Sequence, residues 1–343
     1  MQFRFQNVCL ETIAYTLPEE VVTSEEIEQR LASVYQRLRL PEGRLELMSG
    51  IHERRLFPPG TRPSEKSILS GEKAIGQSGI DRQKIGALIH GSVCRDFLEP
   101  ATAAGVHHGL GLSSDCVVYD LSNACLGLLN GTVQIASMIE LGQIEAGMVV
   151  GTEDSRELLE RTIDLLLNDP SLTRQNIKPA FASLTIGSGS AAILLTHRDL
   201  SRSGHRLLGG VSTASTDHCD LCQSDGMEAV METDSETLLK EGVSAAKRTF
   251  TEFCDSLGWT PDRIDKTFCH QVGRAHRKLL LEELGLSLDR DYVTFDRFGN
   301  TGSVALPMGA GVGWEDGFVN AGDRVAMLGI GSGINVMMLG VEA

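Results

Sequence analysis

The chain echoes itself. Asp81-Arg82-Gln83-Lys84-Ile85 runs into the apolar segment IGALIHGS, and far downstream Pro261-Asp262-Arg263-Ile264-Asp265 runs likewise into DKTFCHQV. GMVVGTED (147–154) and IGSGSAAILL (186–195) find partial counterparts, in compatible order, in RVAMLGIGSGINVMML (324–339). Strand-like and helix-like segments alternate throughout, which favours an α/β fold over separate all-α and all-β blocks. At 343 residues there is enough chain for two domain-sized halves. The echoes predict related α/β halves over residues 1–200 and 201–343, joined near 198–206 where the sequence is polar. A charged helical stretch, 154–180, contains Asp169-Pro170 and reads as an insertion over the active-site region of the first half.

Three local patterns carry chemistry. IGALIHGSV (85–93) and SDCVVYDLS (114–122) read as strands, and ACLGLLNGTVQIASMIELGQ (124–143) has the apolar spacing of a buried central helix. Cys125 therefore falls where a strand hands over to a helix N-terminus, whose free N–H groups and dipole favour a thiolate. His270 follows an apolar strand, and Asn300 sits between glycines in Phe298-Gly299-Asn300-Thr301-Gly302. Singly, these read as a buried cysteine, a hydrogen-bonded histidine and a turn asparagine. Together they describe a thiol nucleophile with two N–H donors for an oxygen that turns negative, which points to carbon–carbon bond formation on acyl thioesters. Gly329-Ile330-Gly331-Ser332-Gly333 matches neither the P-loop nor the dinucleotide pattern. It suits a second oxyanion hole, with the Ser332 backbone N–H paired with that of Cys125.

Composition narrows the partners. Lys and Arg number 31 against 46 Asp and Glu, and the net charge of -15 argues against nucleic acid. Arg274, Arg277 and Lys278 read equally as a cluster for coenzyme A phosphates and as a solvated helix face. No apolar run approaches the roughly 18 residues of a membrane span, and MQFRFQNVCLET lacks a signal-peptide core, so a cytoplasmic protein is expected. Eight scattered cysteines read as reduced thiols. Cys219-x-x-Cys222, after His218, lacks a second ligand pair, so no metal site is expected.

At Ser49-Gly50-Ile51-His52-Glu53-Arg54-Arg55, the Cys125 segment, His270-Gln271, Gly299-Asn300-Thr301 and the terminal glycine loop, the chain resembles the thiolase superfamily. The branch is that of 3-oxoacyl-acyl carrier protein synthase III, over nearly the whole length. The resemblance implies a duplicated five-layer αβαβα fold, a homodimer, and Cys, His and Asn catalysing acyl transfer and Claisen condensation. Ser92-Val93-Cys94-Arg95-Asp96-Phe97-Leu98-Glu99-Pro100 and His270-Gln271-Val272-Gly273-Arg274-Ala275-His276 are similar to the acyl-CoA condensing enzymes of long-chain olefin biosynthesis. Priming synthases have His-Gln-Ala-Asn-x-Arg at the second place, where Gly273 and Ala275 replace the Asn and Arg. Condensing two non-malonyl thioesters requires a base, and the resemblance assigns it to Glu99, reaching the active site of the dimer partner. Read by itself, Glu99 is a loop carboxylate before Pro100. The expected reaction joins two fatty acyl-CoAs into a 2-alkyl-3-oxo acid or thioester through an acyl-Cys125 intermediate, with no cofactor beyond the coenzyme A thioesters. The alternatives are a malonyl-dependent synthase and an acyl carrier protein as donor.

Overall fold

The computed structural model describes residues 1–224 and 231–343. Ten strands form one sheet. They are β1 (Gln2–Arg4), β2 (Val8–Thr16), β3 (Ile85–His90), β4 (Val117–Asp120) and β5 (Ala146–Glu153), then β6 (Gly189–His197), β7 (Arg206–Ala214), β8 (Lys266–Cys269), β9 (Arg324–Gly331) and β10 (Asn335–Glu342). The order is β8-β9-β10-β7-β2-β6-β5-β3-β4, with β1 beside β7. A single residue pair, Cys9 opposite Arg206, joins β2 to β7, so two runs of strands meet at a seam.

The two runs repeat each other. Outward from the seam the first reads β2, β6, β5, β3, β4 and the second β7, β10, β9, β8. Asp291, bridged in parallel to Thr267, occupies the place in the second run that β4 holds in the first. Directions repeat as well: β3–β5 and β8–β9 are parallel, whereas β5–β6 and β9–β10 are antiparallel. The sequence echo lies at matching places, because a short 3-10 turn leads into β3 at Arg82–Lys84 and precedes β8 at Pro261–Arg263.

Successive residues of a strand face opposite ways, and here both faces are covered. Ile89, Val149 and Ile193 enter a central core with Leu128, Leu129 and Ile135 of α3 (Gly127–Glu140) and Leu306 and Ala310 of α7 (Ala305–Glu315). Their neighbours Leu88, Met148 and Leu194 pack on α1 (Pro63–Ser78) and α2 (Thr102–Leu110). In the second run Met327, Met337 and Leu339 face the same central core. Ala326, Leu328 and Met338 turn outward to α5 (Ser235–Leu257) and α6 (Arg274–Leu284). Helices, the first run of strands, helices, the second run, helices: the architecture is αβαβα.

One local expectation changes. The 114–122 run pairs only as β4, an edge strand with β3 as its one neighbour. The 154–180 stretch forms α4 (Arg156–Asn168), whose Leu159, Ile163 and Leu166 pack on Ile27, Leu31 and Val34 in a satellite core. Among the described residues no helix is long and apolar enough to cross a membrane.

Candidate active site

Cys125 lies in a 3-10 turn, Ala124–Leu126, between β4 and α3. Ala124 has φ of 44°, a left-handed conformation that costs a non-glycine residue about 1 kcal/mol or more and turns the chain sharply. The first turn of α3 crosses the end of β3 so closely that a Cβ on Gly127 would stand 2.0 Å from the Gly91 carbonyl oxygen. Only glycine permits that crossing. The resulting elbow packs against the end of β9 and against the turn Gly302–Val304, which follows Asn300.

The thiol is half-buried, and the backbone N–H groups of Ser332 and of Cys125 itself donate towards its sulfur. Loss of solvation, then the nearby Glu153 carboxylate, push its pKa up to about 12 against the pull of those donors. Burial and the neighbouring carboxylate thus oppose the thiolate that the helix start was expected to favour.

His270 leaves β8 with its backbone N–H bonded to the Leu328 carbonyl of β9 at 3.0 Å. Its side chain is buried and its Nδ1 has no hydrogen-bond partner. Burial, with His276 nearby, holds it at about 3, so the imidazole is neutral at physiological pH and can offer an N–H. Gln271 latches the following loop, donating to the Tyr292 carbonyl at 3.0 Å and accepting from the Thr294 and Phe295 N–H groups. That loop leads to Asn300, whose backbone is pinned on both sides. Its N–H donates to the Thr185 carbonyl and its carbonyl accepts from Gly187, each at 2.9 Å. Gly187 tolerates no side chain, since a Cβ would lie 2.0 Å from the Phe298 carbonyl oxygen. The Gly302 N–H donates to Asn300 Oδ1 at 3.0 Å, which commits the amide oxygen to the protein and leaves the NH2 as the outward donor.

Glu99 stands apart, exposed in the loop after β3 and joined to Pro100 by a cis peptide bond. The loop is firmly held. Asp96 accepts from the Ser64 N–H at 2.9 Å and hydroxyl at 2.5 Å, and its N–H donates to Thr102 Oγ1 at 3.1 Å. Arg62 covers the Phe97 ring. The basic cluster divides. Arg277 donates through Nε to the buried Asp291 at 2.6 Å and through Nη2 to the Asp291 carbonyl, so it fastens the segment that follows α6. Lys278 is exposed beside Glu282 at 3.7 Å, and exposed Arg274 leans over Gly50. His218 faces Glu241. Among the described residues no three His, Cys, Asp or Glu side chains are grouped to hold a metal ion.

Sequence reasoning missed Glu153. This carboxylate, the last residue of β5, is buried beside Cys125. It accepts from the Val93 N–H at 3.0 Å, the Cys94 N–H at 3.2 Å, and the Ser303 N–H and hydroxyl. An acidic residue closing an otherwise apolar strand was the available signal.

Residues 254–342 match the family described as 3-oxoacyl-[acyl-carrier-protein] synthase III C terminal. Over 350 aligned residues, 99% of each chain, the protein is 43% identical to an acyl-CoA:acyl-CoA alkyltransferase of Shewanella oneidensis. The chain belongs to this alkyltransferase family. A glutamate-to-alanine variant of OleA from Xanthomonas campestris has the same structure, with a TM-score of 0.96 at 34% identity over 100% of both chains. A cysteine-to-serine variant of that OleA, with bound lauric acid and lauroyl-CoA, gives 0.95 at 34% identity, over 99% of this chain and 100% of that one. The Cys125 elbow and the Asn300 turn of this alkyltransferase are thus set in a scaffold shared along its whole length.

Proposed function

We infer that the protein is an acyltransferase that condenses two acyl-CoA molecules. The Cys125 sulfur attacks the carbonyl of the first, the C–S bond to coenzyme A breaks, and coenzyme A leaves carrying the thiol proton. A base takes an α-proton from the second acyl-CoA, and the carbanion attacks the Cys125 thioester. The C–S bond to Cys125 then breaks, the departing sulfur regains a proton in place of the one the base took, and a 2-alkyl-3-oxoacyl-CoA is released, open to hydrolysis to the acid. His270 and the Asn300 NH2 stabilise the enolate, and the backbone N–H groups of Cys125 and Ser332 stabilise the tetrahedral oxyanion. The observation that carries this reading is the elbow itself, a thiol with two backbone donors aimed at it.

The base is Glu99 of a partner subunit. Glu99 is exposed on an anchored loop whose Phe97 and Leu98 are 51% and 92% exposed, and β4 is an edge strand of the sheet. Such a surface suits a two-fold homodimer in which each loop enters the other subunit. In OleA the glutamate and the cysteine replaced in the two variants are separated by the same number of residues as Glu99 and Cys125. Coenzyme A is the donor, its phosphates met by the exposed Arg274 and Lys278, and the chemistry calls for no further cofactor. The enzyme works in the cytoplasm with its thiols reduced.

The test is the mass of the products formed by purified enzyme from one long-chain acyl-CoA, with and without malonyl-CoA. A 2-alkyl-3-oxo product without malonyl-CoA, lost in Cys125→Ala and Glu99→Ala, is expected. Product only with malonyl-CoA, retained in Glu99→Ala, would make this a decarboxylating synthase.

A further inference from the structure

The hydrogen bonds of the Glu153 carboxylate go to the loop that carries Glu99 and to the turn that follows Asn300. The Val93 and Cys94 N–H groups belong to the loop that presents Glu99. Ser303 lies three residues past Asn300 and donates through both backbone and hydroxyl. The carboxylate also stands against Gly302, the residue that fixes the Asn300 amide, with 3.3 Å between Glu153 Cγ and the position a Gly302 Cβ would take. One buried anion thus ties two loops from different halves of the chain. Each tether is a charge-assisted hydrogen bond, the stronger kind, and among the described residues four N–H and O–H donors serve the carboxylate. Its geometry and the geometry of the loops are therefore the same thing.

We propose that Glu153 is a positioning residue for the carbon–carbon bond-forming step, holding the Asn300 turn of its own site and the root of the loop that carries Glu99 into the partner subunit's site. This rests on the condensation reading above. Acyl transfer to Cys125 uses the elbow and the Ser332 turn, neither of which Glu153 tethers, and the anion beside the thiol opposes thiolate formation.

The two half-reactions separate the role from mere structural support. In Glu153→Gln, acyl-enzyme formation from one acyl-CoA, read as the intact-mass adduct and released coenzyme A, should be as fast as in the native enzyme or faster. Condensed product should fall about tenfold or more, as misplacement of loops by a fraction of an ångström entails. Glu153→Asp, which keeps the charge, should recover part of the loss. Ser303→Ala removes one tether and should give a smaller fall in condensation with acylation intact; it decides the matter if Glu153→Gln does not fold. Parallel loss of both half-reactions, or condensation unchanged, would overturn the proposal. If the native enzyme makes no condensed product from acyl-CoA alone, the condensation reading fails separately. Amide hydrogen exchange at Val93, Cys94 and Ser303 then still tests the anchor: faster exchange in the Gln variant is expected, and unchanged exchange refutes it.

Discussion

Burial and the nearby Glu153 carboxylate hold the thiol of Cys125, the proposed nucleophile, against ionisation. Its thiol sits at about 12, raised by burial and by Glu153, so the thiolate fraction is small at neutral pH and grows with pH until about 12. Alkylation of Cys125 by iodoacetamide in the ligand-free enzyme should therefore climb about tenfold per pH unit from pH 7 to 9, read by mass analysis of the Cys125 peptide. A rate already level over that range would mean a preformed thiolate. The local settings of Cys125, His270 and Asn300 were legible in the sequence, because a strand-to-helix handover, a strand end and a glycine-flanked turn each announce themselves locally. Glu153 was not legible, since its partners Val93, Cys94 and Ser303 come from loops distant in the chain. Arg277 and Lys278 are neighbours of the same charge, and only the position of Asp291 shows that one is fastened to the protein and the other faces water.

Among the elements, the start of α3 is the most tightly constrained. The Gly127 contact with Gly91 sets how far the helix can descend onto β3, and with it the height of the Cys125 sulfur. Gly127→Ala should destabilise the fold by about 1–3 kcal/mol, as overpacking does, and cut acylation of Cys125 even in the folded fraction. Urea unfolding and the acyl-enzyme adduct measure the two effects; a variant of native stability and native acylation would show that the crossing is loose. The sequence periodicity located this helix and placed the catalytic cysteine at its beginning, although regular α-helix starts only at Gly127, after the 3-10 turn. Edge effects were harder to read. The residues around β4 carry a full strand's composition, yet with one neighbouring strand to pair with, only Val117–Asp120 is ordered into the ladder.

At the scale of the whole molecule, repeated strand order about one seam brings the ends of β5, β8 and β9 to a common centre, where the two halves supply different groups. The repeat was visible in the sequence through turn-into-strand echoes. What faces outward was not, because the exposure of Phe97, Leu98 and β4 depends on which strand ends the sheet. That exposed face leads to the central claim, a condensing centre completed by the Glu99 loop of a second subunit. Mixing Cys125→Ala and Glu99→Ala subunits under conditions that allow exchange tests it most directly. A mixed dimer then holds one complete site, with Cys125 from one subunit and Glu99 from the other. With random pairing the mixture of two inactive variants should regain roughly a quarter of the native condensation rate. If exchange is demonstrated and no activity returns, Glu99 does not act across the dimer and the shared centre is wrong.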